Sequence, residues 1–223
     1  YSVRVTNLVG FVVSPEAALT VRLIPTITAQ PSGQIIPVGG TATFSIEVTG
    51  EAPFTYQWRY QQTNRLAGAT NVTLVLSNVP LSGAGPYSVL VSNAVGFAAS
   101  DDALLSVKLP PSISQQPSSV VSTQRLSASF TVSANGEAPL AYQWYHHATN
   151  LVPGATSATL VLNNLQPGDA GEYSVRVTNI VGSMQSAPAI LTVELLPQIT
   201  AQPTSLVATQ GTEAVFTVTA THD

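Results

Sequence analysis

The chain has 223 residues, a net charge of −4, no cysteine, and charged residues at only 8%, against roughly 25% in ordinary soluble domains. This leaves no basic footprint for nucleic acid. No apolar run approaches the ~20 residues that cross a bilayer, so no membrane insertion is expected of this segment. Disulfides, thiolate metal sites and cysteine nucleophiles are excluded, and the polar surface must be built mainly from Ser, Thr, Asn and Gln.

Taken in chain order, the predicted elements are strands. The chain opens on YSVRVTN, residues 1–7. TATFSIEV follows, with Ala42, Phe44, Ile46 and Val48 on one face. GEAPFTYQW leads to Trp58, TLVLSNV pairs Leu74 with Leu76, YSVLVSN aligns Tyr87, Val89 and Val91, and DALLSV aligns Ala103, Leu105 and Val107. Alternation of period two marks a strand with one buried face. The intervening segments carry the Gly, Pro, Asn and Ser that turns require, and no stretch shows a helical period. Short strands at regular spacing predict an all-β sandwich.

The series then starts again. Tyr1, Tyr87 and Tyr173 stand 86 residues apart (87 − 1 and 173 − 87), as do Trp58 and Trp144 (144 − 58). ITAQP, ISQQP and ITAQP begin at Ile27, Ile113 and Ile199 with the same step. A solenoid turn takes only ~20–45 residues, so this period describes an independent small domain.

These residues resemble an immunoglobulin-like domain of the intermediate or bacterial type. Trp58 and Trp144 occupy the place of its strand C tryptophan, and Tyr87 and Tyr173 that of its strand F tyrosine. GDAGEYSV carries the Asp-x-Gly-x-Tyr turn through Asp169, Gly171 and Tyr173. SGAGPYSV puts Gly83 at the Asp position, which implies a less firmly held corner. The resemblance implies tandem Greek-key β-sandwiches. It also implies apolar pairs in place of the usual disulfide, Val89 with Ile46 and Val175 with Val132. Losing that disulfide costs about 2–5 kcal/mol, and burying a large apolar side chain recovers roughly 1.5–3 kcal/mol. Cysteine-free repeats of this kind are similar to those of long bacterial surface and secreted proteins, which implies an extracellular or cell-surface location.

The expected domains are 1–24 (strands F and G only), 25–109, 110–196 and 197–223 (strands A and B only). Tyr1 enters the repeat at its strand F, and Asp223 aligns with Glu51 just before strand C. The parent chain is therefore expected to continue with the same period on both sides. Completion of one molecule's end by a neighbour's is not expected, because the composite lacks the strand C tryptophan.

Candidate chemistry is sparse. His146-His147 follows strand C, but the other repeat reads QWRYQQTN, where Gln62 or its neighbours break any repeated site, so a solvated edge is expected and no metal site. Asp101-Asp102 aligns with Ala187-Pro188, against a repeated calcium site. No triad or carboxylate pair stands out, so no enzyme and no cofactor is expected. Asn71-Val72-Thr73 is a lone glycosylation triplet. Lys108 aligns with Arg22 and Glu194, against a repeated isopeptide crosslink. Tyr60 and Tyr145 are the candidate ligand-contacting aromatics, with core packing the competing expectation.

The expected function is a non-catalytic structural or adhesive stalk, its partners being neighbouring repeats of the same chain, further copies in an oligomer or filament, and a surface glycan or protein ligand. The alternative is an accessory spacer or glycan-binding module of a larger secreted enzyme.

Overall fold

The computed structural model describes residues 1–221, so Asp223 and its alignment with Glu51 lie outside the described residues. The chain divides into two units, Tyr1–Val107 and Lys108–Asp223. It is all-β, as the alternating pattern requires.

The first unit starts with an antiparallel hairpin of β1 (Arg4–Thr6) and β2 (Phe11–Val13). A whole domain follows: β3 (Thr26–Ala29), β4 (Gln34–Pro37), β5 (Ala42–Ser45), β6 (Glu47–Thr49), β7 (Thr55–Tyr60), β8 (Asn64–Arg65), β9 (Thr73–Leu76), β10 (Gly85–Ser92), β11 (Phe97–Ala99) and β12 (Ala103–Lys108). One face of the sandwich is the six-stranded sheet β4-β12-β10-β7-β8, with β11 beside β10. Opposite it, β3 pairs with β6 and β5 with β9.

TATFSIEV therefore forms two elements rather than one. Its first half pairs with β9 and its second with β3, and the change of partner falls at Ile46. The side-chain alternation survives the break: Ala42, Phe44 and Ile46 are buried and Val48 is half-buried. The connection from β8 to β9, residues 66–72, forms no strand, which leaves β9 at the edge of its sheet.

The second unit repeats this plan. It comprises β13 (Ser112–Gln115), β14 (Val120–Thr123), β15 (Ala128–Thr131), β16 (Ser133–Asn135), β17 (Ala141–His146), β18 (Asn150–Leu151), β19 (Thr159–Leu162), β20 (Gly171–Asn179), β21 (Gly182–Gln185) and β22 (Ala189–Glu194). A final pair, β23 (Gln198–Ala201) and β24 (Thr219–Thr221), is antiparallel and exposed. The sheet order β14-β22-β20-β17-β18 matches the first unit strand for strand. Each core gathers around one tryptophan. Trp58 lies with Phe44, Val89, Ile46 and Leu105, and Trp144 with Phe130, Val175, Val132 and Leu191. Both indoles are fully buried.

Candidate functional site: a clamp on the linker

Each copy of the opening motif ends in Asn-x-Val-Gly, at Asn7, Asn93 and Asn179. This asparagine organises the turn after the central strand. Asn93 Oδ1 accepts from the backbone N–H of Val95 at 2.9 Å and Gly96 at 3.0 Å. Asn179 does the same with Val181 at 3.0 Å and Gly182 at 3.1 Å, and Asn7 with Val9 at 2.8 Å and Gly10 at 3.0 Å. An Asn side chain that folds onto its own turn in this way is held in one rotamer.

In the two whole domains the amide nitrogen is then free to reach across to other segments. Asn93 Nδ2 donates to the carbonyls of Leu23 and Glu51, both at 2.8 Å. Asn179 Nδ2 donates to Leu109 O at 2.8 Å and Glu137 O at 3.0 Å. Leu23 and Leu109 belong to the linkers that enter these domains, and Glu51 and Glu137 to the turn before β7 and β17. Glu137 adds a backbone N–H to the Leu109 carbonyl at 3.0 Å. One side chain thus ties the incoming linker, one interstrand turn and its own turn together.

Glycine makes this approach possible. At Gly50, φ is +132°, and a Cβ would stand 2.6 Å from Ile24 O. At Gly136, φ is +149°, and a Cβ would meet Pro110 O at 3.0 Å. Only glycine accepts that backbone and that proximity. Beside the clamp lies an ion pair, Arg22 with Glu51 at 2.7 Å and Lys108 with Glu137 at 2.6 Å. The hydrogen bond from Arg22 holds the Glu51 carboxyl below its usual range and raises the Arg22 guanidinium. Both pairs are solvent-accessible, so they orient the side chains more than they stabilise the fold.

The strand C and strand F aromatics belong to the two cores. Trp58 Nε1 donates to Asn71 O, and Trp144 Nε1 to Ser157 O, each at 2.9 Å. Asn71 itself is exposed. Tyr87 OH donates to Gly83 O and Tyr173 OH to Asp169 O, each at 2.9 Å. Burial, with a smaller contribution from Asp169, pushes the Tyr173 hydroxyl up to about 12. Burial also raises Tyr87, assisted by Tyr60.

The corner bond runs to a backbone carbonyl in both domains, so the glycine at position 83 keeps it. In that bond the two corners are alike. What Asp169 adds is a side-chain cap, accepting from Gln166 N at 2.7 Å.

Tyr60 is not a free platform. Its ring packs on the first core, lies 5.1 Å from Tyr87, and its hydroxyl donates to Ala84 O at 2.7 Å. Gly85, with φ at +147°, leaves room for it. His146 takes the same place in the second domain. It stacks on Tyr173 at 4.5 Å and on His147 at 4.0 Å, and its Nε2 lies 3.3 Å from Ala170 O. The expected solvated edge is therefore corrected at His146, which is half-buried; His147 is exposed. Tyr145 is half-buried on the outer face of β17. Asp102 accepts from Gln62 Nε2 at 2.7 Å, while Asp101 is exposed. Among the described residues no group of three or more His, Asp or Glu side chains is placed to hold a metal ion, and no helix is long and apolar enough to cross a membrane.

Sequence reasoning missed Asn93, Asn179, Gly50 and Gly136. The signal was present in three Asn-x-Val-Gly segments and two Gly-Glu-Ala-Pro segments on the 86-residue ruler.

A family model described as immunoglobulin domain matches residues 24–93 and 110–179. The human protein Roundabout homolog 3 is 26% identical over 80% of this chain and 14% of its own length. Endoglucanase C of Cellulomonas fimi is 28% identical over 83% of this chain and 18% of its own length. The chain thus spans less than a fifth of either relative. Among solved structures, the I-band fragment I67-I69 from titin superposes with a TM-score of 0.71 at 22% identity. It covers 92% of this chain and 78% of the fragment, and shows a shared fold.

Proposed function

Because the chain belongs to the immunoglobulin domain family, we propose that it is a non-catalytic structural and adhesive segment of a long extracellular repeat protein. The observation that carries this reading is the recurrence of the clamp: both whole domains bind the linker that enters them through the same asparagine. A segment whose role is to hold spacing needs defined joints, and hydrogen bonds to linker carbonyls supply them. A further relative, the chicken cell adhesion molecule DSCAM, 28% identical over 76% of this chain, supports an adhesive setting.

Self-association extends the proposal. Strands β9 and β19 are sheet edges, and residues 66–80 and 151–166 around them contain no charged side chain. Val75 and Val161 are exposed there. Charge is the usual protection of such an edge, so we assign lateral association of copies to it. Sedimentation velocity over a range of concentrations tests this. The expected result is reversible association that Val75→Lys with Val161→Lys abolishes; a monomer at every concentration removes self-association from the account.

The likeness to endoglucanase C favours a second reading, an accessory module of a secreted enzyme. The full reading frame decides between them. Further 86-residue repeats on both sides support the structural segment, and an adjoining catalytic domain supports the accessory module.

A further inference from the structure

The hairpin of β7 and β8 places Arg59 directly opposite Arg65. Like charges in register across a strand pair repel, and here no acid relieves them. The ion pairs among the described residues are Arg22–Glu51 and Lys108–Glu137. The acid that reaches this hairpin, Asp102, is held by the Gln62 amide. Moreover, Arg59 Nε is buried and has no hydrogen-bond partner. A buried donor without an acceptor is a cost that folded proteins rarely retain.

The second domain shows that the fold does not require this arrangement. Its β17–β18 hairpin has the same register, and the equivalent residues are Tyr145 opposite Leu151, an ordinary apolar cross-strand pair. The two positions differ together between the domains, from cation–cation to aromatic–aliphatic. In a chain with only seven Lys and Arg residues, two of them stand opposite each other in register.

We infer that Arg59 and Arg65 form an anion site for an acidic saccharide, which contributes a uronate carboxylate or a sulfate group. Paired guanidinium groups match the planar or tetrahedral oxygens of such groups through bidentate hydrogen bonds. Between the two arginines lie Tyr60, packed on the core, and Gln61, Gln62, Thr63 and Asn64, all exposed. These exposed amides and hydroxyls suit sugar hydroxyls, and with Tyr60 committed to the core the turn offers no apolar anchor for a peptide. The site is separate from the linker clamp and from the edge strands, and it does not rest on the structural reading.

The test is a titration followed by NMR at the arginine Nε–H resonances, with oligogalacturonate, a sulfated dextran oligomer, neutral dextran and polyglutamate as probes. The expected result is a shift of the Arg59 Nε–H with one or both acidic saccharides, weakening as salt is raised, and none with neutral dextran. The two acidic probes distinguish the carboxylate from the sulfate. Arg59→Tyr with Arg65→Leu installs the pair that the second domain already carries, so the fold is kept. Arg65→Gln, at an exposed position, is the milder check. Affinity should fall at least tenfold in the double variant and measurably in the single one. Equal affinity of wild type and double variant, no Nε–H shift with either acidic saccharide, or an equal response to polyglutamate overturns the proposal.

Discussion

Asn93 donates to the carbonyl of Leu23, a residue 70 positions earlier in the chain, at 2.8 Å. Asn179 and Leu109 stand in the same relation, at the same separation and the same distance. Repetition of a bond between the turn after the central strand and the incoming linker makes this contact a property of the repeat.

Replacing Asn179 by Ala removes two donated and two accepted hydrogen bonds. The expected loss is about 1–3 kcal/mol, because four hydrogen bonds of one half-buried side chain are lost together. Asn179→Asp keeps the acceptor but aims a carboxylate at two carbonyl oxygens, so it should destabilise at least as much. Urea unfolding of the three proteins checks this. An Asp variant as stable as wild type contradicts the donor role of Nδ2.

Gly136→Ala should cost more than about 1 kcal/mol through backbone strain alone, because φ is +149°. The added Cβ would also stand 3.0 Å from Pro110 O. Gly154→Ala supplies the control. Its φ is also positive, at +72°, but nothing lies within 4 Å of the added carbon. Thermal unfolding should show the larger fall in midpoint for Gly136→Ala.

Alkaline pH should weaken the second domain. The Tyr173 hydroxyl is raised from its ordinary value of 10.0 to about 12, chiefly by burial. The folded state therefore favours the neutral phenol. That contribution is complete below pH 10 and is lost as pH rises through about 12. Ultraviolet titration should show one tyrosine ionising near 12, absent in Tyr173→Phe. The same variant loses the bond to Asp169 O, worth about 0.5–1.5 kcal/mol. If every tyrosine ionises near pH 10 while the fold is intact, the burial argument fails.

His146→Tyr transplants the first domain's solution into the second. Tyr60 gives Ala84 O a hydrogen bond at 2.7 Å, whereas His146 Nε2 lies 3.3 Å from Ala170 O. Gly171, with φ at +140°, stands where Gly85 does and leaves the space. The substitution should stabilise the domain by about 0.5–1.5 kcal/mol. Destabilisation in a denaturant melt shows that the stack with His147 and Tyr173 matters more than the hydroxyl.

The sandwich was legible from strands of period two, and the repeat from an unbroken 86-residue spacing, because burial acts directly on side-chain alternation. The break at Ile46 was not legible: one alternating run serves two partner strands, and alternation does not name partners. Core packing, the competing expectation for Tyr60, agrees with its sharing the strand parity of Trp58, but its hydroxyl bond depends on where Ala84 turns. His146 was misread as solvated because position after a strand says nothing about stacking on Tyr173. The clamp escaped notice because Asn and Gly are ordinary turn residues, and their reach to Leu23 and Leu109 is a tertiary fact. The Arg59–Arg65 meeting likewise needed the register of the hairpin.

The most direct test of the clamp is backbone ¹⁵N relaxation at Leu23, Ile24, Lys108 and Leu109. If the asparagines hold the linkers, these amides have order parameters near those of the strands, about 0.85. Asn93→Ala with Asn179→Ala lowers them below about 0.6 without melting the cores. Linker amides already below that value in the wild-type chain contradict the account.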